Sequence, residues 1–242
     1  MLSPFVRRAA RILLPRVSGG LEVGEQIALD AFGFNKEAVI KAYVNGYFPM
    51  PDAQGRVHWL APARRCLIPI ESHSVPKNLA RLVRQRVFEI RVDTAFDQVI
   101  RACAERRETW INDEFIRVYN ELHEMGVAHS VEAWQGGALV GGLYGVAIGR
   151  FFATESQFHR VRDAGKVAFV HTFQILRDQG FKMHDVQFQT AFLEQFGSVE
   201  ISLQEYRQQL MREIVQSATF RLPEDLSEES PLVGIASARV SA

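Results

Sequence analysis

The sequence predicts an α+β fold, in which a small N-terminal domain precedes a C-terminal domain with a mostly antiparallel sheet and flanking helices. Two observations predict it. Apolar residues recur at helical spacing in two segments between about residues 93 and 126, and then alternate along three consecutive segments that tight glycine turns connect. Two helical segments follow, with one extended segment between them. Apolar residues make up 47% of the chain, which is enough for a sizeable core.

The first two regions are a basic extension over residues 1–25 and a small domain over residues 26–86. The extension carries four arginines and no acid before residue 20, which favours a poorly ordered segment over a transit peptide or a membrane-surface helix. In the small domain "NKEAVIKAYVNGYF" predicts a helix capped by Asn35 and ended near Gly46. The proline-rich "FPMPDAQGRVHWLAPARRCLIPI" predicts a loop with short extended pieces, and a short helix with Pro76 in its first turn follows.

The predicted catalytic domain spans residues 87–222 and begins with a strand over residues 87–92. "DTAFDQVIRACAER" predicts a helix capped by Asp93 or Thr94, with apolar residues on one face. "INDEFIRVYNELHEMG" predicts a second helix, ended by Gly126. Both helices are amphipathic, so we expect them to pack on the sheet that follows.

Three strands are predicted in "HSVEAW", "GALVGGLYGVAIG" and "RFFATES", joined by turns at residues 135–137 and 149–150. A helix in "AGKVAFVHTFQILRDQG", an extended segment in "KMHDVQFQ" and a last helix in "LQEYRQQLMREIV" complete the domain, before a tail over residues 223–242. This order is that of acyltransferases of the N-acetyltransferase superfamily. The analogy concerns the fold and gives no function by itself.

Charge and ligand-type residues restrict the function classes. The formal net charge is zero, but basic residues outnumber acids between residues 56 and 107, which fits either a phosphate-binding face or a solvated helix surface. Cys66 and Cys103 are too few for a disulfide framework and indicate a reducing compartment. No metal-ligand spacing occurs, so no metal or other cofactor is expected, and no apolar run reaches membrane-spanning length.

Five segments together resemble the leucyl/phenylalanyl-tRNA–protein transferase family: "GYFPM", "RETWI", "GGLYGVAIGRFFATESQFHR", "GKVAF" and "HDVQFQ". The similarity extends from about Tyr43 to Leu210, in the order and spacing of the family. It implies a cytoplasmic bacterial enzyme that moves Leu or Phe from its tRNA to the α-amine of proteins beginning with Arg or Lys, which marks them for degradation. The implied partners are aminoacyl-tRNA, contacted at its 3′ end and acceptor stem, and acceptor proteins with a basic first residue.

The resemblance implies three catalytic residues. Asp185 and Gln187 match the pair with which the family handles protons, Asp185 being either the base or the residue that orients Gln187. They lie two apart on a predicted strand and therefore share a face. Glu155 matches a carboxylate that holds the ammonium group of the acceptor. Each residue also has a plainer explanation. Asp185 could make a turn hydrogen bond, Gln187 could be a surface glutamine, and Glu155 could be a glutamate at the N-terminus of a helix, where the helix dipole favours it.

The same resemblance implies binding residues. Leu143 and Phe152 would line the pocket for the transferred side chain, although both suit an ordinary core. Trp110 and the position of Met50 correspond to residues that stack on the 3′-adenosine of the tRNA, an aromatic platform that contributes about 1–3 kcal/mol per base. A buried Trp at a helix start is the alternative. The arginines expected to contact acceptor-stem phosphates are Arg81, Arg84 and Arg86.

The sequence departs from the family pattern at several positions of the pocket and its surroundings. The departures are Met50, His58, Gln157, His184, Thr190, Phe192 and Gln195. They leave open which amino acid is transferred and whether activity is reduced. His184 could itself carry protons, but on an alternating strand it faces away from Asp185.

Two other classes of function compete with the transferase. A CoA-dependent N-acetyltransferase needs a glycine-rich pyrophosphate loop, and "HRVRDAGKVAF" has one glycine. A non-catalytic RNA-binding module would use the basic segment with Trp59 and Trp110.

Overall fold

A computed structural model describes residues 24–28, 33–51, 56–106 and 109–223 of the 242-residue chain, and for residues 24–28 it describes the backbone alone. The predicted C-terminal tail and most of the predicted basic extension lie outside the described residues. Within them, no helix is long and apolar enough to cross a membrane.

The N-terminal part of the described chain forms a small antiparallel sheet and two helices. Its elements are β1 (Gly24–Ala28), α1 (Lys36–Val44), β2 (Phe48–Pro51), β3 (Val57–Pro62), β4 (Arg64–Leu67) and α2 (Lys77–Arg84). Strands β1, β3 and β2 pair in that order. The side chain of Asn35 accepts a hydrogen bond from the Ala38 amide at 2.9 Å, as predicted for the cap of α1.

The remaining elements, together with β4, form a larger sheet with helices on both faces. They are β5 (Glu89–Val92), α3 (Phe96–Ala104), α4 (Asp113–Glu124), β6 (Ala128–Gln135), β7 (Ala138–Ile148), β8 (Phe151–His159), α5 (Ala164–Asp178), β9 (Met183–Gln187), α6 (Ala191–Glu194), β10 (Val199–Ser202) and α7 (Leu203–Glu213). Among the described residues, the sheet has seven strands in the order β10-β4-β9-β8-β7-β6-β5. Strands β8 and β9 are parallel, joined through α5, and every other pair is antiparallel. The mixed α+β class with a mostly antiparallel sheet is confirmed.

The proline-rich segment is more regular than its sequence indicates. It contains three strands: β2 and β3 pair with each other, β3 also pairs with β1, and β4 pairs with the distant strands β9 and β10. Strand β4 therefore belongs to the large sheet. The boundary predicted after residue 86 does not coincide with a boundary between the two sheets.

Helix α3 begins without the predicted side-chain cap. Ala95 occupies the cap position, because Asp93 and Thr94 are engaged elsewhere. The Asp93 carboxylate accepts from the Ser130 amide at 2.8 Å, and the amide and hydroxyl of Thr94 both donate to the buried carboxylate of Glu132. These contacts join the start of α3 to β6, so tertiary pairing overrides the local capping rule.

Alternating residues of the large sheet point to its two faces and pack into two separate hydrophobic cores. The first core lies between the sheet, α1, α3 and α4, and includes Tyr119, Tyr144 and Phe151. The second core lies between the sheet and α5, and includes Leu143 and Phe152. Neighbours such as Phe151 and Phe152 point to opposite faces, as a strand requires.

Candidate active site

Glu155 is the extra residue of a β-bulge in β8. In the pairing with β7, Thr154 lies opposite Gly145 and Ser156 lies opposite Tyr144, so Glu155 between them has no partner residue. A bulge bends a strand and redirects a side chain. The carboxylate lies on the first core side of the sheet, in the middle of β8, and not at a helix start, which was the plainer explanation for a glutamate at this position.

Three side chains from three different elements converge on the Glu155 carboxylate. The Tyr43 hydroxyl of α1 and the Gln187 side-chain amide of β9, at 3.4 Å, both donate to Oε1. The Tyr119 hydroxyl of α4 donates to Oε2 at 3.2 Å. Burial raises the pKa of Glu155 to about 7, although the two phenol hydrogen bonds act in the opposite direction. The pKa values of both tyrosines lie well above their ordinary value, chiefly because of burial, so the phenols stay protonated donors.

Asp185 is the centre of a second, fully buried cluster. Arg65 of β4 donates from Nε to Oδ1 at 2.9 Å and from Nη2 to Oδ2 at 2.5 Å. The Tyr206 hydroxyl of α7 donates to Oδ2 at 2.8 Å. The Arg65 guanidinium lies between two aromatic rings, 4.4 Å from the centroid of Phe48 and 4.7 Å from that of Tyr206. Arg65 and Asp185 have no exposed side-chain surface, and the carboxylate raises the pKa of Arg65 despite its burial.

The backbone at Gln187 connects the two clusters. Its φ is +59°, in the left-handed region, and the Phe188 amide donates to the Val186 carbonyl at 2.8 Å, which makes a γ-turn. The Gln187 amide donates to Asp185 Oδ1 at 2.9 Å. A rare conformation of this kind costs about 1–3 kcal/mol and persists where its surroundings hold it. The two predicted proton-handling residues therefore meet through the backbone of Gln187, whose side chain turns to Glu155.

The two residues predicted for the aminoacyl pocket lie on the other face of the sheet. Leu143 and Phe152 have no exposed surface and belong to the second core. The Phe152 ring stacks on that of Phe220, with centroids 4.8 Å apart. The structure thus places both residues in a closed core, separated by the sheet from Glu155.

The predicted tRNA-contacting residues fall into two groups. Trp110 and Met50 are half-buried and pack against the first core, the one from which the tyrosines reach Glu155. The Trp110 ring meets that of Phe115 edge-on at 5.2 Å. Arg81, Arg84 and Arg86 are exposed on or just after α2, on the second core side of the large sheet.

His184 points away from Asp185, as strand alternation predicts. Its Nε2 lies 2.8 Å from the Thr154 hydroxyl, and its ring packs among Phe152, Phe169 and Phe173. Burial lowers its pKa to about 3, so the ring is neutral and does not reach the site.

Four residues of the site escaped the sequence analysis: Arg65, Tyr206, Tyr43 and Tyr119. The tyrosines occur at apolar positions of amphipathic helices and resemble core residues. Arg65 follows the exposed Arg64 within a basic segment. Alternation along β4 was the one signal available, because it turns one of two adjacent arginines inward.

Both cysteines are buried and free. In the described ranges, no group of three or more His, Cys, Asp or Glu residues is arranged to hold a metal ion. The chemistry of the site is that of carboxylates, phenols, one amide and one guanidinium.

Comparison with known proteins gives consistent matches over most of the chain. The family model of leucyl/phenylalanyl-tRNA protein transferase matches residues 67–211. The transferase of that name from Paramagnetospirillum magneticum is 47% identical over 190 residues, covering 76% of this chain and 91% of the relative. Those of Herpetosiphon aurantiacus and Gloeobacter violaceus are 48% and 47% identical, and each is covered to 96%.

Solved structures match more weakly. FemX superposes with a TM-score of 0.46 at 11% identity, over 78% of this chain and 74% of that one. A likeness of this size carries no argument about the fold or the chemistry. The family match over residues 67–211 and the relatives at 47–48% identity decide the assignment: this chain belongs to the leucyl/phenylalanyl-tRNA–protein transferase family.

Proposed function

We propose that this protein transfers Leu or Phe from aminoacyl-tRNA to the α-amine of proteins that begin with Arg or Lys. The observation that carries the proposal is the convergence of Glu155 and Gln187 at a half-buried position, in a chain of this family. The relatives are named for leucyl and phenylalanyl transfer from tRNA to protein.

The chemistry needs little beyond what these side chains offer. An aminoacyl ester is already activated, so an amine attacks it without ATP or a covalent enzyme intermediate. The site has to orient the two substrates, remove protons from an amine whose pKa is about 8, and stabilise the charge that develops on the carbonyl oxygen. Glu155 supplies a carboxylate, and Tyr43, Tyr119 and Gln187 supply hydrogen-bond donors around it.

The carboxylate of Glu155 also suits the acceptor. A cationic α-ammonium group next to a basic first side chain is attracted to a negative charge at short range. Because Glu155 is half-buried, such a contact would be stronger than the same pair in water. We propose Glu155, Gln187 and Asp185 as the catalytic cluster on this basis.

We further propose that Trp110 and Met50 contact the 3′-adenosine and that Arg81, Arg84 and Arg86 contact backbone phosphates of the tRNA. An acyltransferase-like catalytic domain preceded by a small N-terminal domain, working in the cytoplasm without a cofactor, is the organisation that fits this function.

The test is single-turnover transfer of radiolabelled Leu or Phe from charged tRNA to an Arg-starting peptide. We expect peptide-bond formation by the wild type, loss of transfer in Glu155→Gln and slower transfer in Asp185→Asn. Glu124→Gln, which changes an exposed carboxylate on α4, is the matched control and should transfer normally.

Two results would contradict the proposal. Absence of binding to charged tRNA would remove the tRNA substrate. Binding of charged and uncharged tRNA alike, with no transfer to any peptide, would indicate an RNA-binding module. Acetyl-CoA replaces charged tRNA in a parallel reaction, and acetylation there would identify an N-acetyltransferase.

A further inference from the structure

The Asp185 carboxylate has no remaining capacity to accept a proton. Each carboxylate oxygen offers two lone-pair positions. Oδ1 accepts from Arg65 Nε and from the Gln187 amide, and Oδ2 accepts from Arg65 Nη2 and the Tyr206 hydroxyl. All four positions are occupied, and the side chain has no exposed surface. A substrate amine has no access to it.

Glu155 differs on both points. It is half-buried, so one side of the carboxyl group can meet a substrate. Oε1 accepts two hydrogen bonds, from Tyr43 and Gln187, whereas Oε2 accepts one from a described residue, Tyr119. An acceptor position on Oε2 therefore stays available.

We propose that Glu155 is the group that takes the proton from the attacking amine, and that Asp185 positions Gln187 without exchanging a proton. The proposal rests on the transferase function above and assigns the roles within it. Arg65 and Tyr206 are then positioning residues as well, because they hold the carboxylate that fixes the γ-turn at Gln187.

The reaction balances with one carboxylate. Ionised Glu155 removes one proton from the α-ammonium group, and the neutral nitrogen attacks the ester carbon while the C=O electron pair moves to oxygen. Collapse of this intermediate breaks the C–O bond to the ribose. Protonated Glu155 gives its proton to that ribose oxygen, and then takes the remaining excess proton from the new amide nitrogen and releases it to water.

The environment of Glu155 suits a group that alternates between its two forms. Donors on α1, α4 and β9 stabilise the carboxylate, while burial and a neighbouring negative charge favour the acid. Among the described residues, the titratable and charged groups that face it are Tyr43, Tyr119, Tyr144, Asp185 and Arg65. The resulting pKa of about 7 lies close to that of the amine, about 8, which suits proton transfer at neutral pH.

The pH dependence of single-turnover transfer separates the two carboxylates. With saturating charged tRNA, we expect the wild-type rate to increase with pH through an apparent pKa near 7, and this increase is the ascending limb of the pH profile. Glu155→Gln should lose this limb and at least about 100-fold in rate, whereas Glu155→Asp should keep the limb at a reduced rate. Asp185→Asn should be slower but keep the limb, because Glu155 is intact. A limb near pH 7 that persists in Glu155→Gln, as distinct from the rise near pH 8 that titration of the amine itself gives, would overturn the proposal.

Chemical rescue gives a test that is independent of the pH profile. Formate, added to Glu155→Ala, should restore transfer in proportion to its concentration, because a small carboxylate enters the space left by the side chain. Formate should leave Asp185→Ala unchanged. Rescue of Asp185→Ala alone would assign the base to Asp185 and overturn the proposal.

The failure of this inference is distinguishable from failure of the proposed function. If the wild type transfers, and replacing Asp185 removes the pH limb while replacing Glu155 does not, the transferase function stands and the assignment of the base is wrong. If the wild type transfers nothing from any charged tRNA, the function itself is wrong.

Discussion

Replacing Glu155 by glutamine tests, through stability alone, whether this carboxyl group titrates near neutral pH. Burial raises its pKa from an ordinary value of 4.5 to about 7. One pKa unit corresponds to about 1.4 kcal/mol, so a completely buried group would destabilise the folded protein by about 3 kcal/mol above pH 7. Because Glu155 is half-buried, we expect solvent to reduce this to about 1–2 kcal/mol.

The direction follows from the raised pKa. Below about pH 4.5 the carboxyl is protonated in both the folded and the unfolded state, so its ionisation does not lower the free energy of unfolding. As the pH rises through 7 the folded protein has to ionise a group that the unfolded chain ionises more easily. The wild type therefore loses stability between about pH 5 and 7, and Glu155→Gln does not. Loss of one tyrosine hydrogen bond in the variant lowers its stability equally at every pH.

The assay is urea unfolding of both proteins at several pH values from 5 to 8. The free energy of unfolding of Glu155→Gln, relative to the wild type, should rise by about 1–2 kcal/mol across that range. The control is Glu124→Gln, which removes the same charge at an exposed residue and should show no such rise. A difference that stays flat or falls with pH would refute the raised pKa.

Three further predictions concern the buried ion pair, the bulge and the arginines of α2. Arg65→Met leaves a buried carboxylate without its cation, so we expect a loss of about 3–5 kcal/mol in unfolding free energy, and calorimetry showing less than 1 kcal/mol would contradict the buried pair. Gly145→Ala brings a Cβ within 2.2 Å of the Ala153 carbonyl oxygen beside the bulge. Its melting temperature should fall by roughly 4–10 °C, and transfer should be lost. An unchanged melting curve would contradict the clash. Changing the exposed Arg81 and Arg84 to glutamine should weaken binding of charged tRNA and reduce the slope of log K against log salt concentration by about 2, one for each lost phosphate contact. An unchanged slope, measured by filter binding, would exclude contact of these arginines with the tRNA phosphates.

The secondary structure of the large sheet was predictable because its signals are local. The turns predicted at residues 135–137 and 149–150 and the cap predicted at Asn35 depend on neighbouring residues, and the structure has turns at residues 136–137 and 149–150 and the Asn35 cap. The resemblance to the family, and no local signal, implied that Glu155, Asp185 and Gln187 belong to one site.

The rest depends on long-range pairing that one sequence does not display. The bulge at Glu155 is a mismatch of register between two strands, and neither strand alone indicates it. Arg65 meets a carboxylate 120 positions away. Tyr43 and Tyr119 look like core residues, because the one polar atom that gives them a role is at the end of an apolar ring.

The buried cluster of Arg65, Asp185 and Tyr206 has a consequence for how the protein comes to be active during synthesis. Its members come from β4, β9 and α7, and the last of them appears near the end of the described chain. A nascent chain that has reached Gln187 still lacks a hydrogen bond that holds the carboxylate beneath it. The ribosome must therefore deliver Tyr206 before the γ-turn is fully supported, and a chain interrupted earlier would carry the reacting groups without the means to hold them in place.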